Sequence, residues 1–125
     1  MKENNVVVTK SRDFAIRIIK LYKHLTTEKG EYVLSKQVLR SGTSIGANIK
    51  EAIRAQSRAD FTSKMQIALK EASETEYWID LLQATDYITA KAGGNLLKDC
   101  EELLKLITSI VVSTKSDKQE NNYEL

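Results

Sequence analysis

A seven-residue repeat in the middle of the chain constrains its fold more than any other feature. Between residues 61 and 82, apolar or small side chains recur at alternating spacings of four and three: Phe61, Met65, Ala68, Ala72, Thr75, Ile79 and Leu82. Such a repeat places one continuous stripe on a helix and is typical of left-handed bundles and coiled coils. The chain has no proline, so no pyrrolidine ring interrupts its helices. The repeat predicts a long helix packed along its whole length.

The two preceding segments also have helical periodicity. The first is predicted to run from a cap at Ser11 to about Glu28, and Gly30 follows it as a helix-ending residue. The second is predicted from Ser35 to about Ser57. Apolar side chains in both segments recur at spacings of three and four, so each predicted helix has one apolar face.

The predicted third helix is capped by Asp60, whereas the fourth has two candidate caps, Thr89 and Asn95. The apolar pattern ends near Val112, which predicts one domain over residues 1–112. The polar residues 113–125 are then expected to form a disordered tail.

Short connections between four amphipathic helices predict an all-α, antiparallel up-down-up-down four-helix bundle with a left-handed twist. Strand signals are nearly absent from the chain. The residues expected to be buried together are Phe14, Ile18, Ile45, Ile49, Met65, Ala72, Ile79, Cys100 and Ile107.

Composition sets broad limits on function. The chain has 125 residues and a net charge of +2, too small to indicate nucleic-acid binding from bulk charge alone. It has one cysteine, no apolar run of membrane-spanning length and no signal-peptide pattern. We therefore expect a cytoplasmic protein that makes no membrane contact.

No residue pattern indicates catalysis, a metal or a cofactor. A bundle di-iron site needs Glu-x-x-His pairs on two helices, but the single histidine, His24, has no acid three residues before it. His24 is expected on the surface. Cys100 lies within an apolar stripe and is expected to be a buried, inert thiol. We predict a protein that is not an enzyme.

Gly42 and Gly46 lie one turn apart at the edge of the second helix's apolar face. Without a Cβ, each lets a neighbouring helix approach closely, and this packing has to offset about 1 kcal/mol of lost helix propensity per glycine. Asn48 is predicted to hydrogen-bond across the bundle to Glu71 or Glu74, with simple exposure of Asn48 as the alternative.

A basic stripe is predicted on the outer face of the second helix, consisting of Lys36, Arg40, Lys50, Arg54 and Arg58. No acid on that helix interrupts it. The first helix adds Arg17, Lys20 and Lys23 on its own outer face, while acidic residues concentrate on the third and fourth helices. Such a stripe either contacts nucleic acid or an acidic partner, or is only a solvated face.

Ile67, Trp78 and Leu81 share a face of the third helix that is distinct from its repeat. An exposed apolar patch of this kind often marks an interface, which predicts self-association through these residues. The alternative is that they widen the contact with the core.

Two segments resemble the four-helix bundle proteins encoded by intervening sequences of bacterial 23S rRNA genes. They are Ser44–Ile45–Gly46–Ala47–Asn48 with the following Glu51–Ala52, and the block from Glu71 to Trp78. The resemblance implies a small antiparallel bundle that assembles as a pentameric ring. It also implies a fold similar to the accessory protein of diversity-generating retroelements, which binds nucleic acid and a reverse transcriptase through a basic surface.

Together, the basic stripe and the resemblance predict a non-catalytic oligomeric module that binds RNA or a nucleic-acid-associated protein. The alternative is a protein-interaction adaptor that contacts an acidic protein and no nucleic acid.

Overall fold

The computed structural model describes the backbone of residues 2–123 and the side chains of residues 6–115. The described backbone forms four α-helices and no strand, which confirms the predicted all-α fold class. The helices are α1 (Lys2–Thr27), α2 (Leu34–Ile53), α3 (Arg58–Ala84) and α4 (Ala90–Tyr123). Each helix packs against two others: α1 and α3 both contact α2 and α4. Within the described residues, no helix is long and apolar enough to cross a membrane.

Contacts between neighbouring helices occur in opposite residue order along the two helices of a pair. On α2, Gly42 faces Ile18 of α1, and Gly46, one turn later, faces the earlier residue Ser11. Opposite order is the register of antiparallel neighbours. The same order relates two further pairs of helices. Arg40–Glu74 and Lys64–Glu51 join α2 to α3, and Arg17–Asp99 and Lys10–Glu102 join α1 to α4. The left-handed twist stays a prediction.

The predicted core is confirmed. All nine residues expected to be buried are at most 2% exposed and belong to one cluster: Phe14, Ile18, Ile45, Ile49, Met65, Ala72, Ile79, Cys100 and Ile107. The seven-residue repeat of α3 faces this cluster, with only Phe61 partly exposed. Apolar stripes at helical spacing have therefore located the core correctly.

The start of α1 differs from the prediction. Ser11 is not a cap: α1 begins at Lys2, and the buried Ser11 hydroxyl donates to the carbonyl oxygen of Val8 at 3.0 Å, within the helix. The earlier start adds the fully buried Val7 to the core. At the other end, Gly30 has φ of +62°, the left-handed conformation that glycine adopts without a Cβ clash.

The boundary between α2 and α3 also differs. α2 ends at Ile53 rather than near Ser57, and Ser57 instead caps α3 by accepting a hydrogen bond from the backbone N–H of Asp60 at 3.0 Å. Asp60 lies in the first turn, where its negative charge faces the positive helix end. Serine is more favourable at an N-cap position than in a helix interior. Ser57 therefore separates two helices that the apolar periodicity alone would merge.

Thr89, and not Asn95, caps α4, which begins at Ala90. Its hydroxyl accepts a hydrogen bond from the backbone N–H of Ala92 at 3.1 Å. At the other end, α4 continues past residue 112 to Tyr123, so residue 112 does not end the helix. The disorder predicted for residues 113–125 stays a prediction; Glu124, Leu125 and the side chains after Lys115 lie outside the described residues.

Glu31 fixes the start of α2. Its carboxylate accepts hydrogen bonds from the backbone N–H groups of Val33 (3.2 Å), Leu34 (3.0 Å) and Ser35 (2.7 Å). Burial alone would raise the pKa of this carboxyl, but the three N–H donors and the Ser35 hydroxyl outweigh it and lower the pKa below its ordinary value. Glu31 therefore caps α2 in place of Val33, which occupies the N-cap position but makes no side-chain capping bond.

Candidate functional site

The predicted basic stripe is exposed, but it does not lie on one helix. Lys36, Arg40 and Lys50 are on α2, whereas Arg54 is the residue at its C-terminal cap and Arg58 is the first residue of α3. The prediction placed all five on a single continuous helix and is wrong in this respect. The early end of α2, at Ile53, is the reason.

Arg40 divides the stripe because it is neutralised by a neighbouring helix. Its guanidinium lies 3.2 Å from Glu71 Oε2 and also pairs with Glu74, both on α3. The prediction that no acid interrupts the stripe considered only acids on α2. The remaining α2 cations, Lys36 and Lys50, are about 21 Å apart along the axis at 1.5 Å per residue.

The predicted cations that stay unpaired among the described side chains, together with Lys29, form two groups, one at each end of the bundle. The upper cluster, near the connection between α1 and α2, comprises Lys20, Lys23, Lys29 and Lys36. The lower cluster, near the connection between α2 and α3, comprises Lys50, Arg54 and Arg58. All seven side chains are exposed, and none forms an ion pair with a described side chain.

Of the three α1 cations in the prediction, Lys20 and Lys23 are exposed and belong to the upper cluster, whereas Arg17 is paired with Asp99 of α4. The register of Ile18 against Gly42 places Lys23 level with Lys36 of α2. These unpaired cations of α1 and the first cation of α2 therefore lie at the same end of the bundle.

Sequence reasoning missed Lys29 and Tyr32, both in the connection between α1 and α2. Tyr32 is 59% exposed and lies within four residues of Lys29 and Lys36. An exposed aromatic ring among cations is a common nucleic-acid contact, because bases stack on the ring while cations hold phosphates. The signal in the sequence was a single aromatic residue, Tyr32, between two lysines, Lys29 and Lys36.

The two predicted packing glycines differ in how closely they are packed. A Cβ on Gly42 would lie 2.8 Å from the side chain of Ile18, closer than real Cβ atoms approach. A Cβ on Gly46 would lie 3.4 Å from Ser11 Oγ, close to an ordinary contact. Gly93 of α4 is another close approach, since an added Cβ would clash with the side chain of Gln83 of α3.

The bond predicted for Asn48 is wrong. Asn48 Nδ2 donates to the carbonyl oxygen of Ser44 in its own helix, at 2.8 Å. The carboxylates expected to receive it, Glu71 and Glu74, instead hold Arg40. The buried polar contact between α2 and α3 joins the Thr75 hydroxyl to Ser41 Oγ at 2.8 Å.

The predicted interface patch is less exposed than a free apolar surface. Ile67 is 39% exposed, but Leu81 is half-buried and Trp78 packs against the core cluster. Tyr77, 56% exposed, lies beside Trp78, with ring centroids 5.3 Å apart and the ring planes tilted by 55°. Trp78 therefore widens the core contact, as the alternative expected, while Ile67 and Tyr77 provide the exposed area. A role in self-association stays a prediction.

A cleft of about 700 Å³ opens between α1 and the start of α4, beside the upper cluster. Its floor is apolar, formed by Leu21, Ile88 and Leu96, with Tyr87 beside them. The residues at its edge are Arg17, Lys20, His24, Lys29 and Asp86. His24 is exposed, as predicted.

Cys100 is buried, as predicted, and its thiol donates to the carbonyl oxygen of Ala72 at 3.3 Å. Burial, together with the charges of Glu76, Glu101 and Asp99, raises the pKa of Cys100 to about 12. A thiol with that pKa is almost entirely protonated near neutral pH and is a poor nucleophile. Among side chains 6–115, no three His, Cys, Asp or Glu residues are grouped so as to hold a metal ion.

Comparison with known proteins places the chain beside a solved structure and within a family. A crystal structure of a protein of unknown function from the S23 ribosomal protein family of Bacteroides thetaiotaomicron is 58% identical, with a TM-score of 0.86. The match covers 87% of this chain and 97% of that one. No curated protein matches the chain. The model of the 23S rRNA-intervening sequence proteins matches residues 3–109, and the chain belongs to that family.

Proposed function

We propose that the protein is a non-catalytic, self-associating module that binds RNA, or a protein–RNA complex, through its upper and lower clusters. Support for the proposal comes from the unpaired cations that lie at the two ends of the bundle. Seven exposed cations of the two clusters have no acidic partner among the described side chains. Acids gather instead in the groove between α3 and α4, which Glu76, Asp80 and Glu101 line.

Self-association would multiply these clusters. Each subunit brings one upper and one lower cluster to an assembly, which by family resemblance is a pentamer. Repeated weak contacts raise the overall affinity for any ligand long enough to reach several copies. A long single-stranded RNA therefore binds more tightly than a short oligonucleotide of the same composition.

The test is a salt titration of RNA binding to the full chain and to two charge-reversed variants. The first variant is Arg54→Glu/Arg58→Glu, in the lower cluster. The matched control is Lys98→Glu/Lys105→Glu, which changes the net charge equally at two exposed positions of α4. Binding that releases counterions weakens linearly on a log–log plot, by about 0.7 unit of slope per phosphate contact on single strands.

We expect the lower-cluster variant to bind much more weakly, with a slope reduced by about 1.4 if both contacts are lost. The control is expected to keep the wild-type slope. Light scattering on each variant checks that the assembly is intact. Equal weakening of both variants would show an effect of net charge only and contradict the proposal, as would a monomer at micromolar concentration. Absence of RNA binding together with capture of an acidic protein would establish the adaptor function instead.

A further inference from the structure

The cleft between α1 and α4 joins an apolar floor to a positively charged edge. Leu21 and Ile88 are each 8% exposed and Leu96 is 5% exposed, so the floor consists of the outer surface of core residues. Its volume of about 700 Å³ lies within the range of small-molecule sites. The cleft therefore suits a ligand unit with an apolar body, rather than a bare ion.

The charges at the edge favour an anion. Lys20 and Lys29 are exposed and have no acidic partner among the described side chains, whereas Arg17 is held by Asp99. The first turn of α4 borders the same cleft through Thr89 and Ala92, and it contains no acidic residue. The positive end of the α4 dipole is thus not offset within its own helix. Asp86 is the acid that opposes these charges.

Tyr87 supplies an aromatic ring at the floor. The backbone around it is fixed, because the Asp86 N–H donates to the carbonyl oxygen of Gln83 at 3.1 Å and the Tyr87 N–H donates to that of Leu82 at 3.0 Å. These two bonds form the C-terminal motif of α3, with Asp86 in the left-handed conformation. The turn therefore fixes the backbone at Tyr87, and the half-buried aromatic side chain lines the cleft beside the cations, within reach of a planar ligand.

We propose that this cleft accepts one unstacked base of a bound single-stranded RNA, with the adjoining phosphate held by Lys20 and Lys29. A nucleotide unit combines the two features that the cleft matches, a flat base for the floor and a phosphate for the edge. This inference deepens the proposed RNA function and rests on it, because Lys20 and Lys29 also belong to the upper cluster.

The experiment titrates the ¹⁵N-labelled full chain, at low salt, with adenosine 5′-monophosphate, adenosine and inorganic phosphate in turn. We expect the monophosphate to shift the amide signals of Leu21, Ile88 and Ala92 and to bind more tightly than either of its parts. Stacking on one aromatic ring corresponds to about 5- to 150-fold in affinity. The Tyr87→Leu variant should lose that factor, while Tyr77→Leu, at an exposed tyrosine of α3, should lose nothing.

Replacing the opposing acid gives a second, independent readout. The Asp86→Asn variant should bind the monophosphate more tightly and adenosine unchanged, which a purely structural role of Asp86 would not produce. Equal affinity for phosphate and monophosphate, or unchanged binding by a folded Tyr87→Leu variant, would overturn the base-binding inference.

The two proposals fail in different ways. Strong RNA binding without any shift at the cleft would overturn this inference and leave the cation clusters as the RNA contact. Monophosphate binding without RNA binding would overturn the claim for a bound strand, and with it the proposed function.

Discussion

The helix pairs α1–α2 and α2–α3 are held together differently from the α1–α4 seam, the contact between the first and last helices. Between α1 and α2, Gly42 brings the backbone of α2 against the side chain of Ile18. Between α2 and α3, the buried Ser41 and Thr75 hydroxyls meet at 2.8 Å. Small side chains at both contacts allow close approach, so burial and a satisfied hydrogen bond stabilise them.

Ion pairs cross the α1–α4 seam. Lys10 pairs with Glu102 and Arg17 with Asp99, and all four side chains are between 41% and 45% exposed. α1 packs less closely against α4 than against α2, and the nucleotide-sized cleft lies along this seam. Ion pairs also join α2 to α3, beside the buried Ser41–Thr75 contact. The α1–α4 seam differs in that its exposed ion pairs, which contribute little stability, accompany looser packing. The close contacts of α2 stabilise the bundle, whereas the α1–α4 seam leaves space for the cleft.

The largest change in the free energy of unfolding is expected from placing a side chain in the contact between α1 and α2. Gly42→Leu puts a side chain where even a Cβ lies 2.8 Å from Ile18. Overpacking costs up to about 3 kcal/mol and the gain in helix propensity returns about 1, so we expect a net loss of about 2 kcal/mol. Urea unfolding measures it. The control is Gly94→Ala, where a Cβ meets open space; if both variants were stabilised, Gly42 would not be a close contact.

A smaller loss of stability is expected when the buried hydroxyl pair between α2 and α3 is broken. Thr75→Val removes the partner of the buried Ser41 hydroxyl, which should destabilise the protein by about 1.5 kcal/mol, within the range for an orphaned polar group. Adding Ser41→Ala removes the unpaired hydroxyl, so the double variant should be more stable than Thr75→Val alone. A double-mutant cycle from thermal or urea unfolding measures the coupling. Additive losses would mean that the two hydroxyls do not stabilise each other.

The Glu31 cap should contribute about 1 kcal/mol, typical of an N-cap. Because the folded-state pKa of Glu31 is lowered, this contribution is present above the ordinary pKa of 4.5 and is lost as the pH falls through the folded-state pKa. Glu31→Gln should therefore destabilise the protein at pH 7 and matter less in acid. Unfolding at the two pH values tests this, and a pH-independent difference between wild type and variant would contradict it.

The smallest change in the free energy of unfolding is expected at the α1–α4 seam. Asp99→Asn breaks the half-exposed pair with Arg17, and we expect a loss below about 0.5 kcal/mol that shrinks further in high salt. Unfolding at low and high salt measures it. A loss as large as that of Gly42→Leu would remove the distinction between the close contacts and the seam.

How far the sequence could predict the candidate site depends on which helix supplies the neighbour. The exposure of Lys36 and Lys50 follows from their position opposite the apolar face of α2. The pairing of Arg40 does not, because Glu71 and Glu74 come from α3 and reach it only through helix packing. Tyr87 and Lys29 are separated by nearly half of the chain and border one cleft for the same reason.

The sequence by itself determined the four helices and which residues form the core, because the period of the apolar residues depends only on local helix geometry. Local competition set the helix ends less predictably: Ser57 could have continued a helix or capped the next one, and its side-chain bond to the Asp60 N–H decided for the cap.

Only the tertiary structure decided which charges are free. Arg40 and Lys36 are similar in sequence terms, yet acids from α3 neutralise Arg40, and Lys36 has no acidic partner among the described side chains. A charge is neutralised by whatever lies within a few ångströms of it. For residues distant in sequence, packing alone fixes that separation, and so it also fixed the division of one predicted stripe into two clusters.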